Sequence, residues 1–149
     1  MLQRIQTLYL LLAIGLMVAF LFIPFGYTVL DEPATEQFKE QSLRAVDFIG
    51  LLIPAVLAIV CMFSAIFMFR ALPGQQALVV VSALFVGACV GVVIYVLTAG
   101  LYDTNPEVAT RTAWGGGGLL LIATWIALWA AYRGISHDRK LLRSYDRLR

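Results

Sequence analysis

Charged and chemically reactive residues are scarce in this sequence. Charged residues make up 13% of the 149 residues, against about a quarter in a typical soluble domain, and hydrophobic residues make up 61%. The chain has one histidine, His137, and two cysteines, Cys61 and Cys89. It therefore has no histidine pair for a haem and no evident cluster of metal ligands, so we expect no cofactor, no metal site and no catalytic residues. We interpret the cysteines as small packing residues.

The apolar residues are concentrated in four long stretches, at about residues 8–30, 48–69, 77–101 and 113–132. No stretch has an ionised side chain in its interior, and each can cross a hydrocarbon core of ~30 Å at ~1.5 Å per residue. The pattern predicts an all-α integral membrane four-helix bundle, with residues 1–149 forming a single domain. Because acids and bases within a membrane mark ion pathways, their scarcity argues against a proton pump or a coupled transporter.

The charges between these stretches are sorted by sign. Residues 1–7, 70–76 and 133–149 carry eight cations and two acids, whereas residues 31–47 and 102–112 carry three cations and seven acids. Lysine and arginine in short loops are retained on the cytoplasmic side of a membrane. We therefore predict a multi-pass membrane protein with both termini in the cytoplasm, since an even number of spans places the termini on one side.

Small residues recur at four-residue spacing within the apolar stretches. In lipid, such residues let helix backbones approach closely and gain dispersion contacts. The pattern indicates either packing within the bundle, which we favour, or the contact face of an oligomer. The residues are Gly15, Ala19, Ala83, Gly87, Gly91, Ala123, Ala127 and Ala131.

Four consecutive glycines, Gly115–Gly118, open the fourth stretch. A glycine-rich loop before a helix can bind phosphate through its backbone N–H groups. Here we expect no preceding strand, no Lys-Ser or Lys-Thr pair follows, and the run lies on the predicted non-cytoplasmic side, where nucleotides are scarce. We interpret the run as a close-packed or flexible start to the fourth helix.

The basic C-terminal segment, residues 133–149, has apolar residues at helical spacing with cations between them. This pattern predicts a short amphipathic helix that is attracted to anionic lipid headgroups. The segment either only fixes the topology or also docks a protein partner, and we expect no nucleic acid to bind it. The residues expected to contact a partner or headgroups are Arg4, Arg139, Lys140, Arg143, Arg147 and Arg149.

Both ends of the chain resemble a family of small bacterial inner-membrane proteins from the Bacteroidota that is described only as a domain of unknown function. The resemblance is carried by residues 4–13, RIQTLYLLLA, and residues 138–149, DRKLLRSYDRLR. The resemblance implies a protein of the bacterial inner membrane with four helices, and it carries no known activity or functional residue. If the first and fourth helices are neighbours, Gln3, Arg4 and Gln6 can approach Asp138, Asp146 or the tail arginines, and the two termini form one cytoplasmic surface that docks a partner.

The absence of candidate chemistry favours a non-enzymatic scaffold or accessory subunit of a larger inner-membrane complex. The alternative is a homo-oligomeric channel or facilitator for a small solute, lined by the face of Gly87 and Gly91 and by hydroxyl groups of the spans. A membrane enzyme acting on lipid lacks candidate residues. The expected partners are the lipid bilayer, anionic headgroups at the basic tail, and either other membrane subunits or further copies of this chain.

Overall fold

The computed structural model describes residues 2–30, 41–68, 71–99 and 110–146. Each of the four long helices is long and apolar enough to cross a membrane, so the predicted all-α membrane bundle is confirmed. The elements in chain order are α1 (Leu2–Phe22), β1 (Gly26–Leu30), β2 (Gln41–Leu43), a 3-10 turn (Ala45–Asp47), α2 (Ile49–Phe67), α3 (Leu72–Ala99), β3 (Thr110–Trp114) and α4 (Gly117–Asp146).

The helices form a closed ring in which each helix packs against the next one in the chain. Helix α1 packs against α2, α2 against α3, and α3 against α4, and α4 returns to pack against α1. The strands lie where α1 and α3 end and where α2 and α4 begin. We call this the sheet end of the bundle. The opposite end, where α1 begins and α4 ends, is the termini end.

The centre of the bundle is filled by apolar side chains at helical spacing. In α1 the fully buried residues are Leu10, Ala13, Met17 and Phe20, three or four positions apart, as one face of a helix requires. The outer faces are also apolar, with large exposed residues such as Leu84 and Ile126. A helix that is apolar on all sides is buried in protein on one side and in lipid on the other.

Three antiparallel strands, which we did not predict, cap the sheet end. Their order is β2-β1-β3, with Gly26 opposite both Leu43 and Trp114. Phe25, just before β1, is fully buried, and its ring meets that of Phe48 edge-on at 5.8 Å between centroids. The sheet therefore joins both connections at this end of the bundle and is anchored in the apolar core.

Several helix boundaries differ from the predicted spans, and three of the differences have a clear cause or consequence. Helix α1 ends at Phe22 rather than near residue 30, because Pro24 lacks the N–H that a continuing helix needs. Helix α3 begins at Leu72 rather than Ala77, since proline is well tolerated in a first helical turn, where Pro73 lies. Helix α4 continues without a break through residue 133 to Asp146, so the described part of the basic tail extends the fourth span.

Candidate functional site

The first and fourth helices are joined at the termini end by a buried polar contact. Gln6 of α1 is 3% exposed, and its Nε2 donates a hydrogen bond to Oδ2 of Asp138 in α4. A Cβ atom at Gly134 would lie 3.0 Å from Cγ of Gln6, so glycine there permits the close approach. Of the contacts predicted between Gln3, Arg4 or Gln6 and the polar residues of the tail, that of Gln6 with Asp138 is therefore confirmed.

A second polar contact joins α3 to α4 at the same end. The side-chain amide of Gln76 donates from Nε2 to Oγ of Ser136 at 3.2 Å. Its Oε1 accepts a hydrogen bond from Nη1 of Arg139 at 2.9 Å. One glutamine side chain thus holds two positions one helical turn apart, and the C-terminal part of α4 is fixed to both α1 and α3.

The side-chain amide of Gln75, next to Gln76 in α3, is buried with one polar atom unpaired among the described residues. Gln75 is 3% exposed, and among the described residues its Oε1 has no hydrogen-bond partner. Leaving a buried acceptor unpaired costs about 1–3 kcal/mol, so a donor from water or from a bound molecule would be stabilised there. We define the polar platform as Gln6, Gln75, Gln76, Ser136, Asp138 and Arg139.

Beyond the polar platform, α4 extends past the rest of the bundle. Helix α1 begins four residues before Gln6, whereas α4 continues for eight residues after Asp138, so α4 passes the start of α1 by about 6 Å at 1.5 Å per residue. Lys140 is exposed one residue beyond the polar platform, level with the first turn of α1 and just before the part of α4 that passes it. Of the other predicted contact residues, the side chains of Arg4 and Arg143 lie outside the described part of the structure, as do Arg147 and Arg149.

The glycine run at the sheet end is explained by backbone packing. Gly115 N–H donates to the Phe25 carbonyl at 2.8 Å, and Gly117 N–H donates to the Pro24 carbonyl at 2.9 Å. The expectation that no strand precedes the run is wrong, because β3 ends at Trp114. The phosphate interpretation still finds no support, since the N–H groups of Gly115 and Gly117 already bind backbone carbonyls.

The predicted helix-packing residues lie in three kinds of environment. Ala127 and Ala131 are buried in the bundle, and Ala19, Ala83, Gly87 and Ala123 are partly buried. A Cβ atom at Gly87 would lie 3.7 Å from the Trp125 ring. Gly15 and Gly91 are exposed, with no atom within 4 Å of an added Cβ. A role for Gly15 and Gly91 in an oligomer stays a prediction.

The reactive groups of the described spans are engaged locally. The hydroxyls of Ser82 and Thr124 donate to carbonyls of their own helices at 2.8 Å and 2.7 Å, and both cysteines are free thiols. Within the described ranges, no three His, Cys, Asp or Glu residues are placed to hold a metal ion. The arrangement at the termini end suits binding, because its polar groups bridge helices and end in an exposed cation.

The sequence directly indicated only part of the polar platform. Gln75 and Gln76 were assigned to the connection between the second and third spans, so their place in α3 was missed. The sequence feature that could have revealed them is a pair of glutamines at the boundary of an apolar stretch, since a side-chain amide there can bond to a neighbouring helix.

Comparison with known proteins gives one family match. A search of curated proteins finds no significant match. The model of the family DUF4293, a domain of unknown function, matches residues 2–148, which include all four helices and the three strands. The chain therefore belongs to the DUF4293 family of domains of unknown function.

Proposed function

We propose that this protein is a non-enzymatic scaffold or accessory subunit of a larger inner-membrane complex and that it docks its partner at the termini end. The observation that carries the proposal is that α4 runs past the bundle while two side-chain contacts, Gln6 with Asp138 and Gln76 with Arg139, hold it in place. A preordered surface loses less conformational entropy on binding than a flexible tail does.

The charge distribution supports a cytoplasmic position for the termini end. The segments at that end carry eight cations and two acids, and those at the sheet end carry three cations and seven acids. The positive-inside rule then orients the sheet away from the cytoplasm. The partner would meet the extension of α4 beside the cytoplasmic headgroups, and its complementary surface would be acidic.

A homo-oligomeric channel is the second candidate. The exposure of Gly15 and Gly91 favours it, because small residues on an outer face allow close approach of another membrane helix. The hydroxyls that were expected to line such a channel support it less. Ser82 and Thr124 bond to their own helices and are buried within this chain.

Charge reversal at Lys140 tests the docking proposal. The tagged protein with Lys140→Glu would be purified in mild detergent, and the amount of each co-purifying membrane protein would be compared with the wild type. The matched control is Arg44→Glu, which reverses an exposed cation at the sheet end. We expect Lys140→Glu to lower partner recovery about tenfold, since it places like charges together, and Arg44→Glu to leave recovery unchanged.

Removal of residues 142–149 provides a second variant that retains the polar platform. Partner recovery should fall in this truncated protein while its helical content and insertion match the wild type. Equal recovery from the wild type, Lys140→Glu and the truncated protein would contradict docking at the termini end.

A further inference from the structure

An apolar groove runs along the outside of the bundle between α3 and α4. Its volume is about 560 Å³, within the range of small-molecule sites, and it opens on the surface that faces lipid. Three aromatic residues from α4, Trp125, Trp129 and Tyr132, line it together with aliphatic residues of both helices. The aliphatic lining residues include Val80 and Ala83 of α3 and Ile122 of α4.

The wall of the groove is held by a hydrogen bond between the two helices. Trp125 Nε1 donates to the backbone carbonyl of Ala83 at 3.1 Å, which satisfies an indole N–H that would otherwise face hydrocarbon. The Trp125 ring also lies over Gly87. The groove is therefore a fixed feature of the α3–α4 contact and does not depend on a freely rotating side chain.

A cation stands at the end of the groove that is nearer the termini. The guanidinium carbon of Arg133 lies 5.4 Å from the centre of the Trp129 ring, and Arg133 is exposed. Lys140 is seven positions further along α4 and so lies on the same face. Asp138, the acid nearest in sequence to Arg133, accepts a hydrogen bond from Gln6 of α1, a helix that contributes no residue to the lining of the groove.

The length of the groove matches one leaflet of a bilayer. Its lining on α4 runs from Ile122 to Tyr132, about 15 Å at 1.5 Å per residue, which is half of a hydrocarbon core of ~30 Å. A transmembrane helix of another protein would extend across both leaflets. An acyl chain extends across one and places its headgroup at the cation.

We infer that this groove binds one anionic glycerophospholipid of the leaflet at the termini end, with an acyl chain along Trp125 and Trp129 and the phosphate beside Arg133. Basic pockets between membrane helices bind anionic headgroups in this way. The inference is independent of the proposed accessory role. It concerns the outer wall of α3 and α4, not the extension of α4 beyond the polar platform.

Quenching of tryptophan fluorescence by brominated lipids tests the inference. The full-length protein with Trp114→Phe, which retains Trp125 and Trp129 as its only tryptophans, would be reconstituted in bilayers of phosphatidylcholine. An equal small fraction of either brominated phosphatidylglycerol or brominated phosphatidylcholine would then be added. We expect the affinity of the quenched site for brominated phosphatidylglycerol to be about five times its affinity for brominated phosphatidylcholine. This is the preference expected from one basic residue near a membrane surface.

Three variants test whether the lipid preference arises in the groove and at Arg133. Arg133→Gln should abolish the preference, whereas Arg44→Gln, which removes an exposed arginine at the sheet end, should retain it. Val80→Phe, which fills the groove without changing charge, should reduce quenching by brominated phosphatidylglycerol. Helical content and elution volume would show that each variant is folded.

Three outcomes would overturn the inference. Equal quenching by the two lipids would mean ordinary contact with surrounding lipid. Selectivity that survives Arg133→Gln would place the headgroup elsewhere. Weak quenching by both lipids that increases as the protein is diluted in the bilayer would mean that another protein chain covers the groove.

Discussion

At the scale of single residues, alternate glycines of the Gly115–Gly118 run differ in how closely the neighbouring backbone approaches them. A Cβ atom at Gly115 would lie 2.5 Å from the Pro24 carbonyl oxygen, and one at Gly117 would lie 2.8 Å from the Ile23 carbonyl oxygen. These neighbours are backbone atoms, which cannot move aside as a side chain can. Gly116 and Gly118 have no atom within 4 Å of an added Cβ. Two of the four glycines are therefore required by close packing.

Alanine substitutions along the run test this difference. Gly115→Ala or Gly117→Ala should lower the free energy of unfolding by about 1–3 kcal/mol, the usual cost of overpacking. Gly116→Ala and Gly118→Ala are matched controls that should change it little. Thermal unfolding in detergent, followed by circular dichroism, gives the comparison. Similar losses in all four variants would show that the close approach to the end of α1 is not what the glycines serve.

Residue-level prediction succeeded where a polar side chain had a limited choice of partners. Gln6 lies at the start of an apolar helix, and Asp138 is one of two acids in the basic tail. Adjacent first and fourth helices limited the possible contacts, but the sequence did not select this pair over Asp146 or the tail arginines. Gln75 and Gln76 were missed because Pro73 and Gly74 precede them, and a Pro-Gly pair is a common turn signal that favours a helix start after it. In the structure that pair lies in the first turn of α3.

At the scale of elements, the sheet joins the two connections that cross the sheet end. Strand β1 is central, with β2 from the connection between α1 and α2 on one side and β3 from the connection between α3 and α4 on the other. Gly26 opposes residues of both neighbours, and a Cβ there would lie 2.7 Å from Cδ2 of Leu97. The sheet therefore couples the positions of α1 and α4 at this end, as the polar platform does at the other.

A pair of cysteines tests the register of the sheet and the orientation of the protein together. Val29 and Arg111 are opposite each other in β1 and β3, and opposed residues have Cα atoms about 4.5–5.5 Å apart, within the range of a disulfide. With Cys61 and Cys89 replaced by alanine, Val29→Cys with Arg111→Cys should form a disulfide in cells, because the predicted non-cytoplasmic side is oxidising. Mass spectrometry after alkylation would detect it.

The control pair is Val29→Cys with Thr112→Cys. Thr112 is one position out of register, and successive positions of a strand face opposite sides of a sheet, so little disulfide should form. A disulfide in the first pair that appears only after an oxidant is added to the purified protein would support the register and contradict the orientation. Equal yields from both pairs would contradict the register.

The helices were predictable from the sequence, and the strands were not. The four apolar stretches exceed the length of a membrane crossing without an interior charge, and that signal does not depend on contacts between distant residues. Residues 26–30 continue the first apolar stretch in composition. Their pairing with residues 41–43 and 110–114 is a long-range contact, which no local pattern in those segments reveals.

At the scale of the whole molecule, the ring of helices brings both ends of the chain together. Because α4 packs against α1, the two sequence segments that carry the family resemblance meet at the termini end. The middle of the bundle is filled with apolar side chains, whereas the polar platform and the exposed Lys140 lie at that end. We propose that the bundle is a support that presents one face to a partner.

Native mass spectrometry of the tagged wild-type protein, released from membranes in mild detergent, tests the accessory role most directly. The masses of intact complexes would be measured before and after dissociation, so that protein subunits are distinguished from bound lipid. We predict a complex of fixed stoichiometry that contains this chain and at least one different membrane protein. A population made only of single chains or of identical copies of this chain would contradict the account, and a closed ring of copies would instead favour the channel.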